Sequence, residues 1–178
     1  SKRSKRVSEF ALSFYEQTKR ILHNDNGEGR DLLWAAARLH ACGKHINISA
    51  YHKHSWYLIR HGDLLGYSQI EHLMVAAIAR YHRKSLPKKR HESWQVLDTK
   101  ENKSLVFDMS LLLRLAVAID CRPDPVISSI GVKAIPNRLE IELVPLNIDQ
   151  SFSLEQWSLA RLSAIIKETK GVELVLLN

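Results

Sequence analysis

The sequence is short of the residues that build covalent or metal-held scaffolds. It has two cysteines, Cys42 and Cys121, in 178 residues. They stand far apart and in no ligand or redox spacing, which excludes an intrachain disulfide framework of several bridges and a thiolate zinc site. Two free, buried thiols in a cytoplasmic setting are the expectation. No apolar run reaches membrane-spanning length, because Arg38 closes "LLWAAA" and Arg114 splits "LLLRLAVAI". A secretory signal is also missing: "SKRSKR" is basic, but Glu9, Glu16 and Lys19 interrupt the stretch after it. There is no glycine-rich phosphate loop, no Ser–His–Asp order and no paired-carboxylate motif. Catalysis by this chain alone therefore has little support. The chain lacks an initiator methionine and opens inside a helical pattern, as a piece of a longer protein would.

Positive charge and histidine, by contrast, are plentiful. Lys and Arg number 26 against 19 Asp and Glu, for a net charge of +7, and there are nine histidines. The placement of charge says more than its sum. "RYHRKSLPKKRH" carries Arg80, Arg83, Lys84, Lys88, Lys89 and Arg90 with no acid before Glu92. Such a focused field serves a polyanionic partner, although a solvated loop accounts for the same composition.

Hydrophobic periodicity predicts helices through the first two thirds of the chain. Val7, Phe10, Ala11, Phe14 and Thr18 share one face of a helix over 7–22. "NDNGEGR" breaks it. A second helix runs over 31–42, with Asp31 as cap and Gly43 closing it in a left-handed position. Further helices are expected over 54–62 and after Ser68, where Glu71 completes a capping box. "MSLLLRLAVAIDC" is apolar enough to be central. Past "RPDP" the pattern changes. Leu139, Ile141 and Leu143 alternate with Glu140 and Glu142, the period of a half-buried strand. "SLEQWSLARLSAIIKETKG" is helical, with Ser153 as cap, and "VELVLL" is a closing strand. The prediction is an α+β fold: a helical bundle over residues 1–121, then a small β-β-α-β module over 126–178.

His40, His52, His54 and His82, with Asp120, fall at helix ends and can converge in a bundle. A pair of hard divalent cations would want a bridging carboxylate beside His40, and residue 41 is alanine. Two readings of the histidines stay open. They are satisfied core or cleft residues, or they join Lys53, Arg83 and Lys84 in holding an oxyanion, where Arg and Lys donate to phosphoryl oxygens.

The joined pieces "AAARLHACG", "YHKHSWYLI", "DLLGYS" and "ARYHRK" resemble the C-terminal helical region of the exopolyphosphatase and guanosine-pentaphosphate phosphatase (Ppx/GppA) family. The likeness covers about residues 7–90, continues through "LLLRLAVAIDC", and is looser over the terminal module. The resemblance implies an HD-like helical domain. An HD phosphohydrolase's ligand pair would fall at His40 and Ala41, its later Asp near Asp120 and its first His near Arg3. It implies a degenerate motif that holds no metal. It also implies a parent hydrolase, an exopolyphosphatase whose N-terminal actin-like domains carry Mg2+ and break the phosphoanhydride bond. This region would then bind inorganic polyphosphate, through Lys53, His54, His82, Arg83 and Lys84, and would support processivity and homodimer formation. The alternatives are an autonomous metal-dependent HD phosphohydrolase and the regulatory part of a guanosine-pentaphosphate phosphatase. A nucleic-acid partner has the charge in its favour but no recognition helix, zinc finger or aromatic platform.

Overall fold

The computed structural model describes residues 1–178. Helix α1 (Lys2–Gln17) starts five residues before its apolar stripe, because Ser1 and Ser4 form a reciprocal cap. The polar "KRSKR" turn carries no periodic signal, so periodicity places the start too late. The helix also ends earlier than expected, at Gln17, where the Thr18 hydroxyl donates to the Phe14 carbonyl at 2.6 Å. Helix α2 (Glu28–Leu39) begins after Gly27, and its first turn is held by Asp25 and not by Asp31. The Asp25 carboxylate accepts from the Gly29 amide at 2.7 Å and the Gly27 amide at 3.2 Å.

A 3-10 turn (Cys42–His45) comes next, and Gly43 has a different role from the one predicted. Its φ is not left-handed. A Cβ there would sit 2.1 Å from the Tyr51 carbonyl oxygen and 2.4 Å from the Ser55 nitrogen. The glycine is needed because α3 (Tyr51–His61) passes directly against the turn. Helix α3 begins three residues earlier than 54, from Ala50 in a left-handed conformation with φ 52°. Helix α4 (Gln69–Arg80) has the expected capping box of Ser68 and Glu71. A short α5 (Glu92–Gln95) leads to α6 (Lys100–Ile119), capped by Thr99. Residues 111–116 of α6, Arg114 included, are all buried, which makes α6 the central helix.

The terminal module is a three-stranded sheet in the order β1-β2-β3. Strands β1 (Ile127–Ile135) and β2 (Arg138–Pro145) pair antiparallel; β2 and β3 (Glu173–Leu176) pair parallel. A parallel pair needs a crossover, supplied here by two helices, α7 (Ser153–Ala160) and α8 (Ser163–Lys170), in place of the single helix expected. No proline or glycine marks the break at Arg161 and Leu162. Ser153 is not the cap either; Phe152 holds that position without a side-chain hydrogen bond. Leu139, Ile141 and Leu143 are fully buried, as alternation predicts, each contributing roughly 1.5–3 kcal/mol.

One contiguous cluster of 39 buried apolar residues runs from α1 through α6 into the sheet, Phe152, Leu159 and Ile166. Polar staples cross the seam. The Gln17 amide group donates to the Ile130 carbonyl and accepts from the Val132 amide, both at 2.9 Å, which satisfies two groups on the free edge of β1. Fully buried Glu155 pairs with Arg122 at 2.8 Å. No helix is long and apolar enough to cross a membrane. Cys42 and Cys121 are unpaired and half-buried.

Candidate anion-binding site

The basic loop after α4 is built on a buried guanidinium. Arg114 lies within apolar α6 and is 4% exposed. It has no carboxylate partner. Its Nε donates to the Tyr81 carbonyl at 2.8 Å, and its Nη2 to the carbonyls of Lys84 at 2.9 Å and Ser85 at 3.3 Å. The last carbonyls of a helix lack intrahelical donors; Arg114 supplies one to Tyr81, the C-cap of α4, and ties down the turn beyond it through Lys84 and Ser85. Burial lowers its pKa to about 10, so it stays charged at neutral pH. The clamp fixes the turn that carries Arg83 and Lys84, and Lys84 takes a left-handed φ of 60° within it.

This turn, the end of α6 and the α7–α8 junction enclose an open cleft of about 340 Å3. Arg83, Lys84, Arg114 and Arg161 line it, with Ser158, Val117 and Leu162 between them, and no carboxylate does. Arg161 lies over the Trp157 ring at 5.1 Å and Arg83 over the Tyr51 ring at 4.5 Å. Stacking of this kind holds a guanidinium in place while leaving its edge donors free. Four cations and no carboxylate in one concavity give it a positive potential.

Behind the cleft stands a wall of buried histidines. His82 is 2% exposed and both its nitrogens are used. Nδ1 meets the Ala79 carbonyl and Nε2 meets the Tyr51 hydroxyl at 2.9 Å. A carbonyl only accepts, so Nδ1 carries the ring proton and the tyrosine donates to Nε2. His82 thus shapes the wall and has no hydrogen left for a ligand. His40 packs edge-on against it with ring centroids 5.0 Å apart, its Nδ1 2.6 Å from the Ala37 carbonyl. Burial pushes the pKa of His40 down to about 4, and nearby Lys44 and Arg3 push the same way. Burial, then the charge of Arg83, lowers His52 to about 4. His52 Nδ1 is the one buried side-chain nitrogen or oxygen without a hydrogen-bond partner. Neutral imidazoles at these positions spare the basic surface further internal repulsion.

The residues singled out in the sequence separate into groups. His82, Arg83 and Lys84 meet at the cleft. Lys53 is exposed and His54 half-buried on α3, outside the cleft lining. His40 and Asp120 do come together, with Arg3 and Ala41, around a separate small cavity. Both Asp120 carboxylate oxygens are taken, by Arg6 at 2.9 Å and Arg3 at 3.3 Å. No group of three His, Cys, Asp or Glu side chains is arranged to hold a metal ion. The donor set therefore does not fit a divalent cation: guanidinium groups stand where one would need free carboxylate oxygens. Sequence reasoning misses Arg161 and the role of Arg114. A lone arginine in the otherwise apolar run "LLLRLAVAI" is a signal for Arg114, whereas Arg161 reaches the cleft only by tertiary folding.

The sequence matches the family described as Ppx/GppA phosphatase, domain III, over residues 1–162. Three similar proteins are each named guanosine-5'-triphosphate,3'-diphosphate pyrophosphatase. That of Pseudoalteromonas atlantica (strain T6c / ATCC BAA-1087) is 29% identical over 124 residues, covering 68% of this chain and 24% of its own. That of Pseudoalteromonas translucida (strain TAC 125) is 31% identical over 121 residues, covering 68% and 23%. That of Vibrio vulnificus (strain YJ016) is 30% identical over 125 residues, covering 70% and 24%. The aligned part of this chain spans about a quarter of the length of these relatives.

Proposed function

The chain belongs to the Ppx/GppA phosphatase family, and from that premise we propose that it binds phosphate chains for a hydrolase whose bond-breaking site lies in another part of the protein. The observation that carries this reading is the cleft of Arg83, Lys84, Arg114 and Arg161 without a carboxylate. The parent is an exopolyphosphatase, which removes terminal phosphate from inorganic polyphosphate with Mg2+ in N-terminal actin-like domains. This region holds the chain between cycles and so supports processivity. A linear polyanion suits the site because successive phosphates present oxygens at short intervals to several cations at once. In this reading the chain itself does not hydrolyse: both His82 nitrogens are hydrogen-bonded and both Asp120 oxygens face arginine. The metal-dependent HD phosphohydrolase reading loses its support on the same grounds.

The names of the relatives favour a second substrate for the parent, a guanosine pentaphosphate. Its phosphate groups present the same chemistry to the cleft, with fewer contacts than a long chain makes. The parent forms a homodimer in this reading. Trp34 at 45% exposure and Tyr57 at 58% are large aromatics left on the surface, of the kind enriched at interfaces. In this reading the protein works in the cytoplasm.

Pairwise replacement tests the binding role. Arg83→Ala with Arg161→Ala should weaken long-chain polyphosphate binding by at least tenfold, since each charge-assisted hydrogen bond is worth about 1.5–3 kcal/mol. Lys88→Ala with Lys89→Ala, on an exposed run, should weaken it by no more than about threefold, as mobile side chains lose more entropy on binding. In the full-length parent the first pair should shorten processive runs while leaving hydrolysis of very short chains near normal. Equal loss from both pairs would reduce the site to diffuse charge. Competition by guanosine pentaphosphate at lower concentration than polyphosphate would favour the second substrate.

A further inference from the structure

The cavity at the degenerate motif is separate from the cleft and differs from it in chemistry. The first turn of α1, the end of α2, the 3-10 turn and the end of α6 enclose about 210 Å3. That is below the roughly 300–1,000 Å3 of pockets that enclose drug-sized ligands, and it suits one small tetrahedral group. Arg3, His40, Lys44, Tyr51 and Asp120 lie in its wall. Asp120 is already neutralised by Arg6 from behind and by Arg3. Lys44 has no carboxylate partner; its ammonium lies 4.8 Å from the centre of the Tyr51 ring, which Arg83 covers at 4.5 Å. The charges of Arg3 and Arg83 both press on Lys44 and, after burial, help to lower its pKa. Cationic charge thus exceeds the one carboxylate that faces it.

The hydrogen-bond polarity of the cavity is equally specific. His40 Nδ1 must hold the ring proton to meet the Ala37 carbonyl. Its Nε2 is then a bare acceptor, and no protein group donates to it. Tyr51 spends its hydroxyl hydrogen on His82. Arg3 uses one Nη on the Asp120 carbonyl at 2.7 Å and keeps its other Nη. The cavity therefore offers two cationic donors and one neutral acceptor.

We propose that this cavity binds a singly protonated tetrahedral oxyanion, hydrogen phosphate or the phosphate end of a chain, with its charged oxygens on Arg3 and Lys44 and its P–OH donating to His40 Nε2. A fully ionised tetrahedral anion of the same size, sulfate, has no hydrogen for that nitrogen and is disfavoured. A divalent metal ion is excluded by the guanidinium groups on Asp120.

The test is a titration of the 178-residue chain, labelled on its histidine rings, monitored by NMR at pH 7. Inorganic phosphate should shift the His40 Nε2 resonance saturably, and sulfate should bind about tenfold more weakly or not at all. Lys44→Ala, which alters an exposed side chain that makes no hydrogen bond, should weaken the phosphate effect about tenfold. Arg161→Ala, in the cleft, should leave it unchanged, so failure here is distinguishable from failure of the chain-binding role. Tripolyphosphate serves as the second arm: a shift of the same resonance at lower concentration identifies a chain end as occupant, and a shift by inorganic phosphate alone identifies free phosphate. No saturable shift at His40, equal binding of sulfate, loss of the shift in the Arg161 variant, or selective broadening of His40 by Mn2+ would each overturn the assignment.

Discussion

The small cavity and the open cleft lie on either side of the Tyr51–His82 wall and share Val117, yet they use arginine in opposite ways. In the cavity, Arg3 and Arg6 converge on buried Asp120, which ties Arg6 into the fold, while Arg3, 49% exposed, keeps one Nη uncommitted. In the cleft, Arg83, Lys84 and Arg161 face no acid, and the buried cation Arg114 is satisfied by backbone carbonyls alone. A cation with a built-in carboxylate holds structure together; a cation without one is available to an incoming anion. Deleting the carboxylate of Asp120 should therefore cost stability, and deleting cations that face no acid should cost binding.

The largest effects are expected in the interior, first at Asp120. Asp120→Ala strips both arginines of their shared carboxylate, and because Arg6 is 17% and Arg3 49% exposed the cost is about 3 kcal/mol, the low end for a buried pair. Denaturant unfolding should show the loss, and a change under about 1 kcal/mol would mean that the pair is no keystone. Arg114→Met should cost about 3 kcal/mol by orphaning the carbonyls of Tyr81, Lys84 and Ser85, and it should also weaken polyphosphate binding because the Arg83–Lys84 turn loosens. Stability loss with unchanged binding would separate the clamp from the site. Gly43→Ala should cost about 3 kcal/mol through the clash with the α3 backbone, readable as a lowered thermal midpoint.

A smaller, graded effect comes from the histidine wall. The folded-state pKa values of His40 and His52 lie near 4, below the ordinary 6.5, and burial lowers His82 in the same direction. The unfolded chain binds more protons than the folded one between those values. The stabilisation is complete above about pH 6.5 and is lost as pH falls towards 4, at about 1.4 kcal/mol per pH unit for each histidine. Urea unfolding across that range should show the slope, and His40→Asn should reduce it by one histidine's share. At the small end, Arg161→Ala on the cleft rim should change stability by less than about 0.5 kcal/mol.

Much of this division is legible in the sequence. The alternation of Leu139, Ile141 and Leu143 fixes a strand because its period is local, and Ser68 with Glu71 marks a helix start by chemistry confined to one turn. The run from Arg80 to Arg90 announces a basic surface, and Ala41 beside His40 leaves that imidazole without a neighbouring carboxylate. The illegible part is tertiary. Asp120 and Arg6 are 114 residues apart, and nothing in either neighbourhood names the other. Arg161 looks like any polar position on an amphipathic helix until the α7–α8 break turns it towards the α4 loop. Gly43 suggests a left-handed φ because that is glycine's common use at a helix end, whereas the constraint is a neighbouring backbone that only the fold brings near. The start of α1 escapes periodicity because "KRSKR" has no apolar residue to set a phase.

The measurement that bears most directly on the cleft is the salt dependence of long-chain polyphosphate binding. For a linear polyanion, log K falls against log salt with a slope of about 0.7 per phosphate contact by the single-strand argument. The unaltered chain should show a steep slope, and Arg83→Ala with Arg161→Ala should lower it by about 1.4 along with the affinity. An unchanged slope and affinity in that double variant would contradict the account, since the cleft would then hold none of the chain.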